Sequence, residues 1–146
     1  MAQAVFHDFS FGIVPIKKKQ DGFELYIVKH KSGNYWGFPK GHKENDETPL
    51  ETATRELFEE TGLEIEKVLS SKTFKESFTF FHKGKMIFKT VEYFIALVDQ
   101  EAKLQLEEVL DGKWVDIHTA LDHLTYDEAK NVFNQAFKEL KILGMV

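Results

Sequence analysis

Gly41, Glu47, Arg55, Glu56, Leu57, Glu59, Glu60, Gly62 and Leu63 stand in one uninterrupted array, G-x5-E-x7-R-E-U-x-E-E-x-G-U, where U is aliphatic. At average residue frequencies, a chain of this length would contain such an array with a probability on the order of 10⁻⁸ to 10⁻⁷, so chance does not explain it. The array itself supplies four carboxylates, one arginine and two glycines. Carboxylate oxygens are hard donors. Gathered at this density, they suit Mg²⁺ or Mn²⁺ acting on phosphates and do not suit zinc or iron.

The array predicts the helix that carries it. Thr48-Pro49-Leu50-Glu51 reads as a capping box with proline at the first helical position, so the helix begins at Pro49. Gly62 suits the left-handed residue that closes a helix, which leaves about three and a half turns. At roughly 100° per residue, Glu56, Glu59 and Glu60 share an arc of about 100°, beside an apolar stripe of Leu50, Ala53 and Leu57. One side faces a core and the next faces a site. Carboxylates at i, i+3 and i+4 repel one another, and two of these also sit where the helix dipole disfavours negative charge. Something must compensate: a bound cation is one answer, and a solvated acidic face, which this crowding fits poorly, is the other. Arg55 lies within helical reach of Glu51 and Glu59, and Glu47 precedes the cap; both are expected to aim the ligand carboxylates.

This array resembles the signature box of the Nudix hydrolases, which cleave nucleoside diphosphates linked to a further group. The box spans residues 41 to 63. Its flank Tyr35-Trp36-Gly37-Phe38-Pro39-Lys40-Gly41-His42 is similar to the W-x-x-P-K-G-H approach of the asymmetric diadenosine tetraphosphate hydrolase branch. Residues 10 to 16 and 89 to 94 resemble that branch too, in its bacterial, chlamydia-like form. The resemblance implies an α/β/α sandwich with a mixed sheet. It also implies metal ligation by the Lys40 carbonyl, Glu56 and Glu60, with Glu59 in the ligand set. A glutamate six residues before a tryptophan is a further feature of the branch, and Glu108 and Trp114 have that spacing, which makes Glu108 a candidate extra ligand or base.

The reaction so implied is attack of water on phosphorus, with no covalent nucleophile. The carboxylate that takes the proton is left open among Glu56, Glu107 and Glu108. Lys40, His42 and Lys89 are candidates for phosphate contacts. Tyr93 can stack on a base; the competing expectation, from its place in the apolar run Val91 to Val98, is a core residue.

The elements that must position these groups follow from pattern. With 146 residues, 42% of them hydrophobic, the chain builds one full core, and a single domain over 1–146 is expected. Residues 10–16 and 23–29 flank Gln20-Asp21-Gly22 as a hairpin, and 73–82 and 86–98 flank His82-Lys83-Gly84-Lys85 as a second. Gly112 to Val115 reads as a short strand. Asp116 is expected to cap a short helix reaching Leu124. Thr125-Tyr126-Asp127-Glu128 reads as another capping box, leading into Ala129 to Ile142 with Val132, Phe133, Ala136, Phe137 and Leu140 on one face.

The chain has no cysteine, so disulfides and thiolate chemistry are excluded. No signal sequence or apolar span of eighteen residues is visible, and a cytoplasmic protein without membrane partners is expected. A net charge of -5 argues against a stable nucleic-acid complex and favours a small dinucleoside polyphosphate as substrate, diadenosine tetraphosphate cleaved to ATP and AMP. Two alternatives stand beside it: removal of pyrophosphate from triphosphorylated RNA 5′ ends, and a catalytically silent nucleotide-binding Nudix module. The retained Glu56, Glu59 and Glu60 argue against the silent module.

Overall fold

The computed structural model describes residues 4–98, 101–103 and 108–146. Eight strands form one mixed sheet: β1 (Val5–Lys19), β2 (Gly22–His30), β3 (Tyr35–Gly37), β4 (Lys40–His42), β5 (Ile65–Val68), β6 (Phe74–His82), β7 (Lys85–Val98) and β8 (Val109–Asp116). The central path runs β3-β2-β1-β7-β5, with β4 on β1, β6 on β7 and β8 on β2. β1 and β7 are parallel over twelve residue pairs from Val5↔Met86 to Ile16↔Leu97, and every other pairing is antiparallel. Both expected hairpins form, and the second turns through Lys83 and Gly84, each at positive φ.

Helix α1 (Pro49–Thr61) packs on one face of the sheet and helix α2 (Asp127–Ile142) on the other, giving the α/β/α sandwich. Strand alternation sorts the core. Ile13, Tyr26 and Val28 join Ala53 and Leu57 of α1, whereas Val14, Leu25 and Ile27 join Val132, Phe133, Ala136 and Leu140 of α2. Among the described residues, no helix is long and apolar enough to cross a membrane.

The capping box of α1 is present as read. The Thr48 hydroxyl accepts from the Glu51 amide, the Glu51 carboxylate accepts from the Thr48 amide, and Gly62 closes the helix at φ 72°. Two other caps differ from expectation. Asp116 ends β8, and its carboxylate accepts from the His118 amide. A single 3-10 turn over Ala120–His123, without a side-chain cap, replaces the short helix. Helix α2 starts after Tyr126 with no side-chain cap, because the Thr125 hydroxyl accepts from the Trp36 amide at 2.8 Å instead. The Thr125 amide in turn donates to the Trp36 carbonyl at 3.3 Å. A partner 89 residues away has taken the oxygen that the local motif would have used.

Candidate active site

Helix α1 reaches the site through Arg55. Its guanidinium grips Glu47 with two bonds, Nε to Oε2 at 2.7 Å and Nη2 to Oε1 at 3.0 Å. The same side chain donates to the His42 carbonyl at 2.8 Å, to Glu56 at 3.0 Å and to Glu59 at 3.0 Å. Glu47 also accepts from the Glu44 amide and the Thr52 hydroxyl. The Arg55 hydrogen bond, followed by the Glu44 amide, pulls its carboxyl down to about 2. Arg55 thereby fastens the start of α1, β4 and two carboxylates of the helix to one planar fork.

The carboxylates then divide. Oxygens of Glu56, Glu60 and Glu108 all lie within 4.8 Å of one another. Glu59 is outside this group, partly exposed and held by Arg55. Glu107 lies outside the described residues. Glu60 is 2% exposed, and its Oε2 accepts from the Lys40 amide at 3.2 Å. Burial, then the charge of Glu56, pushes the Glu60 carboxyl up to about 9, against the Lys40 amide and ammonium. Burial likewise raises Glu56, with Arg55 opposing. Glu56 and Glu60, both raised by burial and by neighbouring carboxylates, make this cluster electrostatically favourable for a cation.

Gly41 is where β4 meets this cluster. A Cβ placed there would lie 2.0 Å from the Glu56 carboxyl carbon, so only glycine lets that side chain cross the strand. Three acid side chains converge, a bare backbone passes beside them, and the donors are all hard oxygens. The residues fit a divalent cation of the Mg²⁺ or Mn²⁺ type.

Beside the cluster lies a cleft of about 440 Å³, lined by Tyr35, Lys40, Glu76, Phe78, Phe80, Lys89, Tyr93, Tyr126 and Glu128 among others. Lys40 joins the two regions, with its amide on Glu60 and its side chain in the cleft wall. Burial lowers the Lys40 ammonium, offset by the charges of Glu76, Glu60, Asp8 and Glu56. Lys89 is buried and donates to Asp8 at 3.1 Å, while the exposed His42 meets the same carboxylate at 3.0 Å and lies 3.3 Å from Lys89. Burial works against Asp8, but these two hydrogen bonds hold its carboxyl below the usual range.

Tyr93 is packed as a core residue. It is 2% exposed, meets Phe38 edge-on at 5.8 Å and donates its hydroxyl to Glu76 at 3.0 Å. It forms the floor of the cleft and turns no open face to a base. The aromatic walls are Tyr35 and Tyr126, with ring centroids 5.2 Å apart, and Phe78 with Phe80 at 5.9 Å. Glu76, Phe78 and Phe80 alternate along β6, a period-two signal that could have marked one strand face as a site wall. Phe81 points the other way, 63% exposed.

Neither Asp8 nor His30 carries a signal that pattern or spacing would reveal. His30 is buried at the end of β2; its Nε2 donates to the Phe38 carbonyl at 2.9 Å, its ring lies 4.9 Å from that of Tyr35, and its Nδ1 is 3.9 Å from Glu60. Burial, then the charge of Lys40, lowers it to about 4, so the ring is neutral.

Comparison with known proteins bears on the class. The NUDIX domain profile matches residues 7–136, and the chain belongs to the Nudix family. A rat bis(5′-nucleosyl)-tetraphosphatase [asymmetrical] is 29% identical over 120 residues, covering 80% of each chain. The mitochondrial Nudix hydrolase 18 of Arabidopsis thaliana is 31% identical over 144 residues, covering 92% of this chain and 78% of that one. Among solved structures, an Ap4A hydrolase of C. elegans in a binary complex superposes with a TM-score of 0.73 at 23% identity, covering 92% of this chain and 98% of that chain. Nudix hydrolases generally use divalent metals, and this chain carries the acidic cluster for one.

Proposed function

We propose that this chain hydrolyses dinucleoside polyphosphates, diadenosine tetraphosphate to ATP and AMP above all, with Mg²⁺ or Mn²⁺ at Glu56, Glu60 and Glu108. One observation carries the reading: Lys40 ties a three-carboxylate cluster to an aromatic cleft, so a phosphate chain and a nucleobase are served by adjoining surfaces. The names borne by the rat and nematode relatives support the same substrate.

In this mechanism Lys40, Lys89 and His42 receive phosphate oxygens, and the Lys40 carbonyl adds a further oxygen toward the cluster. Tyr126, Phe78 and Phe80 hold a base between flat faces. Bound Mg²⁺ or Mn²⁺ would supply charge neutralisation at phosphorus and a more acidic water. In this reading Glu56 or Glu108 takes that proton, Arg55 and Glu47 keep Glu56 aimed, and Glu59 is tied to the site through Arg55. The net charge of -5 repels a long polyanion, so an extended RNA strand is the poorer substrate.

The test is a substrate panel with product identification in Mg²⁺ and in Mn²⁺. ATP with AMP from diadenosine tetraphosphate, at far higher kcat/KM than from capped or triphosphorylated RNA, is the expected result. ADP as the sole product, or preference for RNA, rejects the proposal.

A further inference from the structure

Each segment that carries a cluster carboxylate or its main-chain partner meets His30. Its Nε2 sits 2.9 Å from the Phe38 carbonyl, and because a carbonyl only accepts, Nε2 carries the hydrogen. That bond fixes the Phe38-Pro39-Lys40 turn two residues before the amide that donates to Glu60 at 3.2 Å. Nδ1 lies 3.9 Å from Glu60 Oε1. On its backbone, His30 pairs with Tyr35 of β3 and with Val109 of β8, the residue after Glu108. The β2–β8 register shifts between Lys29 and His30 at this point, and such irregularities re-aim side chains beside sites.

We propose that His30 is a positioning residue of the metal site: through the Phe38 carbonyl its ring fixes the approach to Lys40, whose amide holds Glu60, in the arrangement in which Glu56, Glu60 and Glu108 converge. The inference rests on the metal reading given above. His30 touches no substrate; it acts on Glu60 through the Phe38 carbonyl and the Lys40 amide. Outer partners of metal ligands commonly set affinity by orientation in this way.

The test is calorimetric titration of the full chain with Mn²⁺, beside the melting temperature of each variant. Wild type is expected to bind Mn²⁺, and Glu60→Gln to lose most of that affinity. His30→Phe keeps an aromatic ring against Tyr35 but has no donor for Phe38, and should weaken Mn²⁺ binding by about 10- to 100-fold. His30→Gln places a donor near the Nε2 position and should recover affinity to within about threefold of wild type, whereas the shorter His30→Asn should not. If His30→Phe does not fold, the Gln and Asn pair decides. A folded His30→Phe with wild-type affinity, or equal affinities for His30→Gln and His30→Asn, overturns the positioning role alone. A wild type that binds no Mn²⁺ overturns the metal reading beneath it.

Discussion

Gly41→Ala should disarm the site while leaving the fold almost untouched. Gly41 lies in β4, paired with Phe11, and its backbone conformation is open to alanine; the obstacle is the Glu56 carboxyl group, 2.0 to 2.4 Å from the position of the new Cβ. Carbon atoms pack at about 3.5 to 4.0 Å, so the carboxylate must retreat by roughly 1.5 Å. It can do so cheaply, because it is the far end of a flexible side chain. The fold therefore loses little. The retreat nevertheless breaks the 3.0 Å contact with Arg55 and removes Glu56 from the 4.8 Å grouping with Glu60 and Glu108. A displacement of about 1 Å commonly costs on the order of 10²-fold in rate, so kcat should fall by about that factor or more. The assay is steady-state hydrolysis of diadenosine tetraphosphate at saturating Mg²⁺, with melting temperature measured on the same preparation. A folded Gly41→Ala enzyme that keeps kcat within about threefold of wild type would refute the claim that Glu56 works where the structure puts it.

Four further outcomes are expected. Glu60→Gln should keep the fold and lower turnover by about two orders of magnitude or more, the scale of lost charge stabilisation at phosphorus; near-normal activity in Mg²⁺ would remove Glu60 from the site. Glu60 holds its proton to about 9 in the fold against 4.5 for the free carboxyl. The stability it contributes is thus complete below pH 4.5 and is lost as pH rises toward 9, so the metal-free melting temperature should fall across that window, and Glu60→Gln should flatten the fall. Tyr126→Ala should raise KM through loss of about 1 to 3 kcal/mol of stacking with little change in melting temperature, whereas Tyr93→Ala should cost about 3 to 5 kcal/mol of stability; reversed phenotypes would exchange wall and floor. Thr125→Val deletes the acceptor of the Trp36 amide, a bond worth roughly 0.5 to 1.5 kcal/mol, and should raise KM with kcat unchanged; a KM equal to wild type would show that this tether does not hold the Tyr35 and Tyr126 walls.

Local rules determined much of this protein before any tertiary contact was known. Helix α1 was legible from Thr48 to Gly62 because its signals, a capping box, proline at the first turn, a 3.6-residue apolar stripe and a terminal glycine, act within a few residues of one another. The hairpins were legible for the same reason, since Asp21-Gly22 and Lys83-Gly84 set their turns locally, and the crowding of Glu56, Glu59 and Glu60 called for a compensating positive charge. What only the tertiary structure decided depends on partners distant in the chain. Arg55, gripping Glu47, drew Glu59 aside, while Glu108 approached Glu56 and Glu60 from the turn just before β8. Alternation along β7 placed Tyr93 on one face of its strand but could not tell which neighbour would cover it; Phe38 and Glu76 did. The same competition redirected Thr125 from a helix cap to Trp36. A side chain's local options can be read from sequence, but the winning partner is set by which distant atoms arrive with better geometry and burial.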